Sequence, residues 1–547
     1  NLSMKELPDK AHKMGIKREF YMPVRHHCQF TNKFIGKAHN FCNFHVQDSL
    51  CKEISVVIHD ENKGEINYVL SELYNFKVRN NIDSDVKIIS TSAEKHTTFR
   101  FGYLNFINSY KFLEYPLEDL MEKNNVISDG SIECDTKILC EIFEKYRDIS
   151  LKHHKSDPVS TYTSASFAYN SMLYKTRAKL GLNSDRWIYE SYQSSLRGGN
   201  STMGDICYAK ANNKYLPNYD SAKETTFILP FDMKMLHSGI MTEMLPVSEP
   251  ELEDANIFYL GSEIDIDKIR KMNPYDEIGY DLVCDIELER SKEIHDYYKS
   301  FPILSEKYEV SPGVFKLCGT LTNKTNYMIS LMRLQLIPSL PGIKLTKIHH
   351  VFKYKQAAFL KDFVEDNIKL RYEATNRFEE NYFKLMNNAI PGRFMMNMFN
   401  RNKKNMLLDI HDERITTNHR ICDFKMINKN LLACEYQKES IKLNQLVHIA
   451  FQILDRAKYY MENFWYNILK PAFGERLHLL YHDTDSFFLY IKSEDVYQEL
   501  IDKNIIQYMD LGNIKNENCP LFAHKSEVNK LKTKRSEERR VGKECRS

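Results

Sequence analysis

Residues 481–490 read YHDTDSFFLY and set two carboxylates, Asp483 and Asp485, one residue apart. Before them Leu477, Leu479 and Tyr481 alternate with His478, Leu480 and His482, and after them Phe487, Leu489 and Ile491 resume the alternation. A period of two belongs to a strand, and Asp-Thr-Asp-Ser between two such runs is turn chemistry. The sequence therefore predicts a β-hairpin with both carboxylates at its tip. Whatever else this chain builds must include antiparallel sheet around that tip. Two readings of the tip stand side by side: an Asx-turn in which Asp483 caps its own backbone and Asp485 is solvated, or a carboxylate pair held for chemistry.

A chain of 547 residues exceeds what one hydrophobic core supports, so several domains or one large multi-lobed enzyme are expected. With 42% hydrophobic and 27% charged residues the composition is globular. It contains no apolar run of about 18 residues, which excludes a helical membrane span and leaves no membrane partner. The 76 basic and 74 acidic residues nearly cancel, so net charge does not announce a nucleic acid; local stripes would have to supply the attraction. The twelve cysteines include no Cys-x-x-Cys pair and read as reduced thiols of an intracellular protein, nuclear or cytoplasmic. The chain begins at Asn1 with no signal-peptide pattern and is read as a fragment. The last stretch, RSEERRVGKECRS (535–547), loses all periodicity, resembles a translated sequencing adaptor, and is set aside from fold reasoning.

Along the chain, ISVVIHD (54–60) and FRFGYLNFI (99–107) read as strands among helices, and 136–195 as mainly helical. The glycines of LRGGNSTM (196–203) mark a linker or hinge, and TTFILPFD (225–232) follows as a strand. Residues 247–345 read as an irregular mixed segment. Leu360, Phe363, Val364 and Ile368 lie on one helical face. A second helix runs from about Asn376 through Asn388, where Pro391-Gly392 should end or kink it, and a final helix covers roughly 446–468.

If the hairpin tip is catalytic it needs a partner from another strand, because phosphoryl transfer through paired divalent metals requires convergent carboxylates. Asp232, at the end of the apolar run Phe227-Ile228-Leu229, is the candidate; a plain strand-end role is the competing reading. Arg377, Lys384 and Asn388 are spaced by seven and four residues and share one helix face. Cations along one helix suit a triphosphate, although a solvated basic face gives the same spacing.

This order of carboxylate, basic helix and carboxylate pair resembles a family B DNA polymerase of the protein-primed branch found in viruses, linear plasmids and self-synthesising transposons. YHDTDS matches the family's Y-x-D-T-D-S motif, and KLMNNAIPGR (384–393) resembles its fingers motif K-x-x-x-N-S-x-Y-G. FDMKMLHSGIMTEMLP resembles the first palm motif, and LRGGNS the Y-x-G-G element between exonuclease and polymerase lobes. The resemblance covers roughly 20–530. It implies an α/β and α+β multi-lobed chain: a right-hand polymerase with an antiparallel palm sheet and helical fingers, preceded by a ribonuclease-H-like exonuclease lobe, the thumb missing.

Carried over by position, Asp232 and Asp485 are the ligands of two Mg²⁺ ions, with Asp483 beside them as the third catalytic carboxylate. Lys384, with Arg377 or Arg371, holds the triphosphate; Asn388 and Gly392 line the nascent base pair; His237 takes the place of the tyrosine that blocks a ribose 2′-hydroxyl. Arg197, Gly198, Gly199 and Thr484 contact DNA. The implied partners are a DNA template-primer, dNTPs and a terminal priming protein. The implied divisions are 1–45, a remnant of a zinc-binding-like module; 46–195, a degenerate 3′–5′ exonuclease-like lobe; 196–246 and 441–534, the palm; 247–345, an insertion contacting the priming protein; 346–394, fingers; and 395–440, a second insertion.

Several positions depart from the family pattern. Pro391 stands where the fingers tyrosine belongs, and Pro230 removes a ladder donor from what should be an interior strand. In the exonuclease-like lobe HDENKGE (59–65) offers Asp60 and Glu65 but has Gly64 for a tyrosine; Asn170 replaces an aspartate, and no D-x-E precedes residue 59. No proofreading is expected. In RHHCQFTNKFIGKAHNFC (25–42), His39 and Cys42 have ligand spacing, but without a Cys-x-x-Cys to complete the set structural roles are favoured. The alternative function is a catalytically inactive remnant that still binds DNA, and a nuclease built on the first lobe alone is the least supported.

Overall fold

The computed structural model describes residues 23–27, 34–39, 54–61, 65–82, 86–90, 96–124, 126–206, 208–233, 235–401, 403–508 and 538–540. The chain forms two compact units, one built from Asn1–Ser171, Ala374–Tyr382 and Met398–Lys442 and the other from Met172–Glu373, Phe383–Asn397 and Leu443–Ser547. Among the described residues no helix is long and apolar enough to cross a membrane.

The first unit carries a four-stranded sheet in which Ile54–Ile58 runs parallel to Leu104–Asn108, followed by His96–Phe101 and Val86–Ser90 in antiparallel order. Ile66 and Leu70 of the helix Glu65–Arg79 bury against Ile88, Phe99 and Phe106 of that sheet. The stretch 99–107, which reads as one strand, is a tight hairpin: Gly102, at φ 56°, turns the chain so that Phe99 stacks on Phe106. Helices Ile132–His154, Ser164–Thr176 and Arg186–Ser195 fill the region expected to be helical, the last of them in the second unit. Residues 403–437 add a three-stranded sheet whose central strand is Leu431–Gln437. Within this unit Tyr74 donates to Asp409, and Asn428 donates to Ser71 at 2.9 Å. Strands Pro23–His27 and Phe34–His39 pair antiparallel; Cys42 and the side chain of His39 lie outside the described residues, as do Gly64 and the side chain of Glu65.

In the second unit the elements that position the site are β1 (Ser201–Met203), β2 (Thr226–Asp232), α1 (Leu236–Met241), β3 (Ile278–Leu288), β4 (Lys324–Ser330), β5 (Ile343–Ala357), α2 (Lys361–Glu373), α3 (Arg377–Phe394, from Phe383 onward), α4 (Val447–Asn463), β6 (Leu477–Asp483) and β7 (Ser486–Lys492). Two sheets organise them. One has the order β1-β6-β7-β2, antiparallel throughout. In the other, β3 lies between β4 and β5 and pairs with β5 along its whole length, so 247–345 is far more regular than its sequence suggests. Bulges at Val283/Cys284 and Asp285/Ile286 interrupt the alternation of β3. Glu538–Arg540, inside the segment set aside above, pairs with Tyr208–Lys210.

Three details correct the sequence reading. Pro230 lies in β2, which is an edge strand of the four-stranded sheet, where a missing N–H is tolerated. Pro391 does not end its helix: α3 continues to Phe394, with the amide of Met395 donating to the carbonyl of Pro391 at 3.1 Å. In β6 the alternation breaks at a bulge between Leu479 and Tyr481, so Leu479 and Leu480 are both buried and His482 turns inward.

α4 crosses the unit as a buried helix that carries charge. Arg333, fully buried, pairs with Asp455 at 2.8 Å and Glu462 at 2.6 Å, and Asp455 also accepts from Ser330. Burial disfavours the Asp455 carboxylate, but Arg333 and the Ser330 donors outweigh it and hold its pKa low.

Candidate active site

The predicted hairpin is present: β6 and β7 pair antiparallel and turn through Thr484 and Asp485. Thr484 takes φ 53°, the left-handed region that a β-branched residue adopts only under constraint. That constraint is visible. The Thr484 amide donates to the carbonyl of Asn200 at 2.9 Å, and Gly199 packs so closely that a Cβ there would lie 2.3 Å from the Thr484 hydroxyl.

Asp232 reaches the tip through strand pairing. Ser486 faces Asp232 across β7 and β2, and the Met233 amide donates to the Asp485 carbonyl at 2.8 Å. The two carboxylates line one cavity of about 530 Å³. Burial first, then the negative charges of Asp232 and Asp483, push the Asp485 carboxyl above the usual carboxylate range. Proximity that strains two anions is what a cation relieves. Asp483 does not join them in the cavity lining: its carboxylate accepts from the Ser201 hydroxyl at 2.6 Å.

The same cavity takes Arg371 from α2 and Lys384, Asn388 and Gly392 from α3. Lys384 has no hydrogen-bond or ion-pair partner among the described residues, which leaves its ammonium available to a ligand. Arg377, two turns earlier on α3 and counted with the first unit, is not among the lining residues. α2 and α3 are locked by a buried amide pair: Asn367 donates to Asn387 at 2.9 Å, and Asn387 donates to the carbonyl of Val364 at 3.2 Å. Neither asparagine stands out in the sequence, because a polar residue in an amphipathic helix reads as solvent-facing.

His237, on α1, lines this cavity and a smaller adjoining one. Burial, aided by the charge of Lys458, lowers its pKa and favours the neutral ring. Met235, at φ 56° between Asp232 and α1, also lines the main cavity; it lies within the palm-motif stretch, but no residue pattern singles it out. Gly198, Gly199 and Thr484 line the smaller cavity. Arg197 lines neither; its guanidinium stacks 3.7 Å above the Tyr327 ring and donates to the Met328 carbonyl at 2.9 Å.

Among the described residues no three His, Cys, Asp or Glu side chains gather tightly enough to cage a metal by themselves. The donor set that is present, two carboxylates facing cationic and amide side chains, fits a hard cation shared with phosphate oxygens. Mg²⁺ is held in that way, by one or two carboxylates plus substrate, rather than in an all-protein cage.

No protein-family model matches the chain, and no curated protein matches it. Solved structures do. Phi29 DNA polymerase in an orthorhombic crystal form matches at 14% identity and TM-score 0.52, over 84% of this chain and 75% of that one. Its ternary complex with primer-template DNA and incoming nucleotide substrates matches at 15% identity and TM-score 0.52, over the same shares. Its post-translocation binary complex with primer-template DNA matches at 15% identity and TM-score 0.50, over 85% and 75%. The chain has a fold similar to that of Phi29 DNA polymerase.

Proposed function

We propose that the chain is a DNA-directed DNA polymerase. The observation that carries this reading is the single cavity in which Asp232 and Asp485 face Lys384 and Arg371. A nucleoside triphosphate brings negative charge that the two cations neutralise, while Asn388 and Gly392 border the space for its base. The primer 3′-oxygen bonds to the α-phosphorus as the bond to the β-phosphate oxygen breaks; pyrophosphate leaves and the hydroxyl proton passes to solvent. Asp232 and Asp485 would hold two Mg²⁺, which supply charge neutralisation at the reacting phosphate. Asp483, tied to Ser201, fixes the turn beside them.

His237, which lines the cavity, is the residue that would crowd the sugar and select against a 2′-hydroxyl by bulk. Arg197, Gly198, Gly199 and Thr484 act as a DNA-facing element through their backbone, since the Arg197 side chain is engaged inside the fold. Replication of a virus-like or mobile element, with a terminal protein engaging 247–345, extends the same reading. Proofreading is absent from it: Asn170 is exposed on its helix with an amide in place of a carboxylate, and the buried Asp60 carboxylate accepts from the amide of Ile66.

The second reading, an inactive remnant that binds DNA, is favoured by Pro391 and His237 at cavity-lining positions. Primer extension with Mg²⁺ and dNTPs separates the two. The polymerase reading expects template-directed extension by the wild type and a loss of about 100-fold or more in Asp485→Ala. Extension by neither protein rejects it.

A further inference from the structure

Lys458 belongs to none of the motifs, yet it sits between two parts of the candidate site. It projects from the buried helix α4, and its amine donates to two successive backbone carbonyls, Arg197 at 2.8 Å and Gly198 at 2.7 Å. From there the chain runs straight to the catalytic turn. Gly199 packs on Thr484, the Asn200 carbonyl accepts the Thr484 amide, and the Ser201 hydroxyl holds Asp483. One nitrogen thus secures one end of a five-residue strap whose other end holds the turn in which Asp485 lies.

We propose that Lys458 is a positioning residue for the site assigned above: it tethers the 197–201 strap, and through the strap it holds Thr484 in its left-handed conformation and Asp485 toward Asp232. Lys458 also lines the smaller cavity behind the turn, with His237, His482 and Thr484. Burial, reinforced by Arg333 and Arg197 and opposed by Asp455 and Glu462, brings its pKa down to about 7. An ammonium offers three N–H groups and a neutral amine two, so either form satisfies both carbonyls. The tether therefore survives titration, whereas removing the nitrogen breaks it.

The proposal rests on the polymerase reading only for its kinetic consequence, so the test has two arms on the full chain. In hydrogen exchange, Lys458→Met raises exchange of the Thr484 amide about tenfold while strands β3 and β5 exchange as in the wild type. In primer extension, kcat falls about 100-fold and KM for dNTP changes little, as expected when a reacting group is displaced while the side chains that bind the nucleotide stay in place. Lys458→Arg keeps the charge but cannot seat one nitrogen between both carbonyls, and gives a smaller rise at Thr484; it also serves if the Met variant does not fold. Unchanged exchange at Thr484 in both variants, or a rise spread equally through β3 and β5, overturns the proposal. A wild type that extends no primer refutes the polymerase reading, and the exchange arm still decides on Lys458.

Discussion

Asp232 and Ser486 stand opposite each other in adjoining antiparallel strands, β2 and β7, and this pairing sets Asp232 beside the turn that carries Asp485. More than 250 residues of chain separate the two carboxylates, and one step of strand register decides whether they meet. A slip of one residue would turn Asp232 to the other face of the sheet.

That proximity has a measurable cost. Because burial and the charges of Asp232 and Asp483 raise the Asp485 pKa in the folded chain, the protonated form is favoured there relative to the unfolded chain. The corresponding stability is complete below the unfolded-state pKa and is lost as pH rises through the raised folded value. In chelator-treated protein, Asp485→Asn should match the wild type in Tm at acid pH and exceed it at neutral pH. A constant Tm difference across the range would contradict the shift.

Pro391 cannot donate to the carbonyl of Asn387, yet α3 continues through it. An interior helix proline costs ~3 kcal/mol, partly offset here by the packing of its buried ring. Pro391→Ala should therefore stabilise the second unit by about 1–2 kcal/mol, read as a higher urea midpoint with an unchanged slope. A lower midpoint would show that the ring's packing outweighs the missing bond.

The hairpin and Asp232 were legible because turn residues and strand ends announce themselves locally. Lys384 and Asn388 were legible because helical spacing puts them on one face, and Gly392 only through the resemblance of 384–393 to the fingers motif. Arg377 obeys the same spacing but lies about 10 Å earlier along the axis, and angular position alone does not report axial distance. β3 was hidden by bulges and by burial on both faces, which erase the period of two. Lys458 was invisible for another reason: its partners are backbone carbonyls, and no side-chain pattern encodes those.

Gly204 tests how tightly β1 must lie on the hairpin. A Cβ at 204 would fall 1.7 Å from the carbonyl oxygen of Leu479, a backbone atom that cannot rotate away. Gly204→Ala should cost about 1–3 kcal/mol of stability by pushing β1 off β6. Thermal unfolding checks the loss; an unchanged Tm would mean that β1 is not held against β6 as described.

Mn²⁺ binding read by electron paramagnetic resonance, in the presence of a dNTP, asks whether Asp232 and Asp485 act as one cation site. The free-ion signal should fall on adding wild-type protein and should return when either Asp232→Asn or Asp485→Asn takes its place. Undiminished binding in Asp232→Asn would contradict the account, because the strand pairing of Asp232 with Ser486 would then serve the fold and not the chemistry.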